Sequence, residues 1–201
     1  VSQSASGEPY VVGTSPAITS VTPQLNSLQV AFTASTGGNP APAYYYSFNG
    51  TDVCGNGVAS SPITITGLNV AQYYTFYVIA RNTAGDSVSQ SASGEPLVVG
   101  TNPAVTSVTS QLNSLQVAFS ASTGGNPAPT YYYSFNGTDV CGNAVSTSPI
   151  TIPNLNLAQY YTFYVIARNS AGDIASQSAS GEPLIVGSAP AITSVTSQLN
   201  S

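Results

Sequence analysis

The chain has 201 residues, a net charge of −5, 4% charged residues and 42% hydrophobic ones. That apolar content excludes the disordered class, which combines low hydrophobicity with high charge. Two cations, Arg81 and Arg168, are too few to neutralise a nucleic-acid backbone or an anionic membrane surface, so neither is an expected partner.

The first nine residues, read as the last strand of a preceding repeat, contain SQSASGEP, which returns at Ser89 and again at Ser176. The period is 87 residues, and 73 of 87 positions agree between residues 1–87 and 88–174. A period this long gives each copy room for a core of its own, unlike a solenoid repeat that needs its neighbours. The expected domains are residues 10–96 and 97–183, with residues 184–201 beginning a third copy. On this reading the chain is a window on a longer array. Its first residues show no signal peptide, and no run of 18 apolar residues encodes a membrane helix in this fragment.

Within the first copy, AITSVTPQL and SLQVAFTAS read as strands, the second alternating Leu28, Val30 and Phe32. After the turn-rich TGGNPAP comes YYYSF, and Asn49-Gly50 predicts a type I′ hairpin leading into a strand TDVC. ITITGL, YYTFYVIA, the turn RNTAGD and a polar last strand SVSQSAS complete the copy. Seven strands without a helix predict an all-β fold of tandem antiparallel Greek-key β-sandwiches.

The stretch GLNVAQYYTFYVIARNTAG is similar to the tyrosine corner and F strand of the fibronectin type III domain, and the resemblance extends over essentially every repeat. In it Leu68 precedes Tyr74 by six residues, and Phe76, Val78 and Ala80 alternate toward Asn82 and Gly85; the second copy repeats the pattern around Leu155 and Tyr161. The resemblance implies that Tyr74 and Tyr161 are buried corner tyrosines whose hydroxyls meet backbone partners. Where the family usually has a strand B tryptophan, this chain has Phe32 and Phe119. It has no Arg-Gly-Asp triplet, so integrin binding of that kind is not implied. Which tyrosine of the YYY run faces the core stays open.

Catalysis lacks material. Without histidine or lysine, each copy offers one thiol, one guanidinium and three carboxylates on separate segments, Glu8, Asp52 and Asp86 in the first. Neither an activated nucleophile nor a metal cluster follows from that, and the expectation is a non-enzymatic chain without cofactor or metal.

If Tyr74, Phe76 and Val78 point inward, strand alternation turns Tyr73, Tyr77 and Ile79 outward, joined by Tyr45 of the neighbouring strand. Tyr132, Tyr160, Tyr164 and Ile166 are their counterparts in the second copy. An aromatic outer face repeated in each domain is either ordinary sheet surface or a contact surface, for other copies of the chain or for sugar rings of glycans. Cys54 and Cys141, one per copy, are either small buried hydrophobes or interchain cross-links. Asn49 and Asn136 head Asn-Gly-Thr sequons, so N-glycosylation is open beside the turn that explains the same residues. The connections GEPYVVGTSP, GEPLVVGTNP and GEPLIVGSAP are prolyl and apolar, which predicts packing at a domain junction or a sheet edge and a semi-rigid array advancing about 35 Å per repeat. The leading expectation is the shaft of an extracellular, cell-surface or virion-associated filament that self-associates. The rival is an adhesin stalk, or a carbohydrate-binding or spacer module of a secreted protein.

Overall fold

The structure is a computed structural model and describes residues 7–188 and 191–196. Residues 1–6, most of the expected closing strand of a preceding repeat, lie outside the described residues, as do 189–190 and 197–201 of the third copy.

The first repeat folds as β1 (Ala17–Gln24), β2 (Ser27–Thr33), β3 (Ala43–Ser47), β4 (Cys54–Val58), β5 (Ile63–Thr66), β6 (Tyr74–Asn82), β7 (Gly85–Val88) and β8 (Ala92–Gly94). One sheet has the order β1-β2-β5; the other has the order β4-β3-β6-β7, with β8 also paired to β6. The chain crosses between sheets from β2 to β3, from β4 to β5 and from β5 to β6, which makes an antiparallel Greek-key sandwich.

Alternation builds its core. Leu28, Val30 and Phe32 of β2 and Ile63 and Ile65 of β5 meet Tyr44 of β3 and Phe76, Val78 and Ala80 of β6 in one buried cluster, closed by Leu68. Each large side chain so buried contributes ~1.5–3 kcal/mol. Phe32, in the position expected to replace a tryptophan, packs its ring 4.8 Å from that of Tyr44.

The second repeat forms β9 (Ala104–Gln111), β10 (Ser114–Ser120), β11 (Thr130–Ser134), β12 (Cys141–Val145), β13 (Ile150–Ile152), β14 (Tyr161–Asn169), β15 (Gly172–Ala175) and β16 (Ala179–Gly181). Its sheets are β13-β10-β9 and β12-β11-β14-β15, with β16 on β14. Where Thr66 pairs with Ser27 to end β5, the second repeat has Pro153. A proline cannot donate to the ladder, and β13 ends one residue sooner, at Ile152.

Two expected strands are corrected. The segment TDVC is not a strand from its start: only Cys54 joins β4, and Thr51–Val53 belong to the turn. Gly50 has a positive φ of 82° but Asn49 does not, so the turn is not type I′, which needs positive φ at both central residues. The last strand is broken in two because Ser89 interrupts it: its hydroxyl, not its backbone, takes the Val78 N–H at 2.8 Å and donates to the Gln90 carbonyl at 2.8 Å. Ser176 does the same with Val165 and Gln177.

Each sandwich holds the chain where it enters and leaves. In the first, Val11 exchanges two backbone hydrogen bonds with Asn39, and Leu97 donates to Gln24 and accepts from Asn26. In the second, Val98 bonds Asn126 in the same way, and Leu184 bonds Gln111 and Asn113.

Candidate functional site

The outer face of the five-stranded sheet is built across three of its strands. Tyr45 of β3 stands in register with Ile79 of β6, and Ile79 with Val88 of β7. The Arg81 guanidinium lies 5.9 Å from the Tyr45 ring centre, within cation–π range. The same arginine donates from Nε and from one terminal nitrogen to both carboxylate oxygens of Asp86, at 2.8 and 2.7 Å. That fork holds the Asp86 carboxyl below the usual carboxylate range, against a smaller opposing effect of burial. Arg168 and Asp173 form the equivalent fork in the second repeat.

Much of this face is used within the domain. Ile79 and Ile166 are 0% and 1% exposed, so they are not surface residues as the alternation predicts. In the first repeat the cross-strand side chains of Tyr45 and Val88 flank Ile79 from both sides. Tyr45 and Tyr77 are half-buried, and each ring lies over a glycine: a Cβ on Gly57 would stand 2.7 Å from the Tyr45 ring, and one on Gly50 would stand 3.7 Å from three carbons of the Tyr77 ring. Tyr164 covers Gly137 similarly, and Tyr132 is half-buried. Tyr73 and Tyr160, just ahead of β6 and β14, are the members that reach solvent, at 74% and 75% exposure. Tyr160 borders an open depression of about 490 Å³ with Val108, Ala158, Glu182, Leu184 and Ile185.

The tyrosine run is resolved. Tyr44 and Tyr46 face the core and Tyr45 faces out. The buried tyrosine whose hydroxyl meets the backbone is Tyr44, which accepts from the Ser35 N–H at 3.0 Å. Tyr74 and Tyr161, the expected corner tyrosines, are half-buried: Tyr74 packs against the core cluster, and the two rings lie 6.4 Å from those of Phe48 and Phe135. The long tyrosine of β3 reaches the loop after β2, whereas Tyr74 begins its strand at the opposite end of the core.

Asn82 is a polar hub that alternation alone does not single out. Its Nδ2 donates to the carbonyls of Val11 and Pro40, and its Oδ1 accepts from the N–H groups of Ala84 and Gly85. It ties the entering chain, the loop after β2 and the β6–β7 turn to one amide. Asn169 repeats all four bonds.

Asn49 is exposed, yet its amide is engaged through both its oxygen and its nitrogen. Its Oδ1 accepts from Thr51 N, Thr51 Oγ1, Asp52 N and Ser47 Oγ, and its Nδ2 donates to Asp52 Oδ2 at 2.7 Å. Asn136 is held in the same way, bonded to Asp139 at 2.6 Å. Cys54 and Cys141 are half-buried free thiols at the start of the edge strands β4 and β12. Beside them Tyr46 and Tyr133 have raised pKa values, first from burial and then from the neighbouring cysteine. Among the described residues no three His, Cys, Asp or Glu side chains come together as a metal site.

No family profile matches the chain. Chitinase A1 of Niallia circulans is 31% identical over 165 residues, which are 76% of this chain and 23% of that protein. This chain thus spans about a quarter of the length of that relative. Among solved structures, the FN1–FN3 domains of chicken CNTN1 are 18% identical with a TM-score of 0.47, covering 85% of this chain and 69% of theirs. Domains A168–A170 of titin are also 18% identical, with a TM-score of 0.46, covering 85% of this chain and 61% of theirs.

Proposed function

From a chain of fibronectin type III-like domains repeated in tandem, we propose a spacer: a module that holds distance between other parts of a protein working outside the cell. The observation that carries this reading is the fixing of the chain at both ends of each sandwich. Val11 and Leu97 in the first repeat, and Val98 and Leu184 in the second, are hydrogen-bonded through their backbones to loops and strand ends of the domain they serve. A connection held this way transmits position better than a free glycine/serine linker. The outer face supports the same reading, since Ile79, Tyr45 and Tyr77 are engaged within the domain. Similarity to Chitinase A1 supports a place beside a secreted polysaccharide-degrading enzyme, with the chemistry done elsewhere.

A second reading, the shaft of a laterally packed filament or a stalk that binds glycans, is favoured by Tyr73 and Tyr160, which present nearly whole rings to solvent at the same position of each repeat. Light scattering and negative-stain electron microscopy over a rising concentration series separate the spacer from the filament. A spacer keeps a constant scattering mass and separate chains. Growth into fibres overturns it in favour of the filament.

A further inference from the structure

The first repeat contains two Asn-Gly pairs, Asn49–Gly50 and Asn56–Gly57, while the second keeps Asn136–Gly137 but has Asn143–Ala144. Asn-Gly is the pair most open to spontaneous deamidation. The backbone nitrogen after the asparagine attacks the side-chain Cγ and ammonia leaves, closing a succinimide. Water then opens the ring to aspartate or isoaspartate. Glycine favours the attack because it has no Cβ to hinder its nitrogen and its backbone is free to turn.

The two pairs have opposite surroundings. At Asn49 both reacting atoms are held. The attacking nitrogen, Gly50 N, donates to Ser47 Oγ at 2.9 Å, and the amide that must rotate is fixed by four donors on Oδ1 and by Asp52 on Nδ2. The second repeat holds Asn136 through Ser134, Thr138 and Asp139 in the same pattern. At Asn56 the reacting amide is not held in this way: its side chain has no hydrogen-bond partner among the described residues, and both Asn56 and Gly57 are exposed. The ladder also opens there. Tyr44 pairs with Val58 and Tyr46 with Cys54, so Gly55, Asn56 and Gly57 together face Tyr45 alone. A bulge of this kind leaves its extra residues without regular ladder bonds.

We propose that Asn56 is a site of spontaneous modification by water, and that the hydrogen-bonded turns around Asn49 and Asn136 exist in part to deny the same reaction to their own Asn-Gly pairs. The product places a carboxylate on β4, an edge strand without any charged residue.

The test is incubation of the intact chain at mildly alkaline pH, followed by peptide mapping with separation of aspartate from isoaspartate. The expected result is a mass gain of about 1 Da that accumulates first in the peptide holding Asn56, ahead of those holding Asn49, Asn136 and Asn143. Gly57→Ala, which copies the second repeat, suppresses it. Asp52→Ala speeds modification at Asn49 by about tenfold, as expected for loss of a charge-assisted hydrogen bond. Equal rates at Asn49 and Asn56 in the unaltered chain overturn the proposal, as does an Asn49 rate that Asp52→Ala leaves unchanged.

Discussion

Ser89 Oγ lies 2.8 Å from the backbone nitrogen of Val78, in the middle of the core strand β6, where a ladder carbonyl would otherwise accept. One hydroxyl thus completes the sheet at the point where the last strand breaks. This accounts for the leading serine of SQSASGEP, the motif that first reveals the repeat.

Ser89→Ala leaves the Val78 N–H buried without its acceptor. The expected loss is ~1–3 kcal/mol, read as a lower denaturant midpoint with an unchanged slope. Ser91→Ala, two residues on, serves as the control and shifts the midpoint by less than about 0.5 kcal/mol.

Asn82→Ala removes four hydrogen bonds at once and frees the entering chain at Val11 as well as the loop at Pro40. A destabilisation of ~2 kcal/mol is expected, together with faster amide exchange at Ala84 and Gly85, whose N–H groups it accepts.

Ile79 and Tyr73 separate packing from association. Ile79→Thr should cost about 2 kcal/mol, because it puts a hydroxyl in a fully buried position and removes a methyl. Tyr73→Ser should leave the unfolding midpoint within about 0.5 kcal/mol. Any self-association lost with Tyr73→Ser would point to a surface contact and not to the fold.

These two residues also mark where the sequence could be read and where it could not. Alternation places Leu28, Val30, Phe32, Phe76 and Val78 correctly, because an inward side chain needs only a period of two. It fails at Ile79, since burial of an outward residue depends on what crosses it from adjacent strands. Three consecutive tyrosines carry no period at all, so neither the inward position of Tyr44 nor its bond to Ser35 was legible. The broken last strand was hidden for a similar reason: a serine that replaces a ladder partner looks like any other polar residue on an exposed strand. Glycines beneath Tyr45 and Tyr77 lie far from those rings in sequence and leave no local mark.

The Arg81–Asp86 and Arg168–Asp173 forks predict a small acid dependence. Because the folded-state pKa of each aspartate is lowered, the stability it contributes is fully present above the ordinary carboxylate pKa and is lost as pH falls through the lower folded value. Between about pH 5 and pH 2 the parent chain should therefore lose more stability than the Asp86→Asn, Asp173→Asn double variant, as thermal unfolding across that range would show. Both forks are partly exposed, so the difference should be modest and should shrink in high salt.

The segment from Tyr73 to Asn82 is identical to that from Tyr160 to Asn169, and β6 and β14 occupy the same place in their sheets. Either strand therefore carries the side chains needed to complete the other sandwich. Correct assembly is favoured by nearness along the chain and, during synthesis, by order, since the copy made first can close before its twin arrives. A denatured chain released all at once has no such order. Its characteristic error would be an exchange of central strands between domains, with every hydrogen bond satisfied in the wrong molecule half.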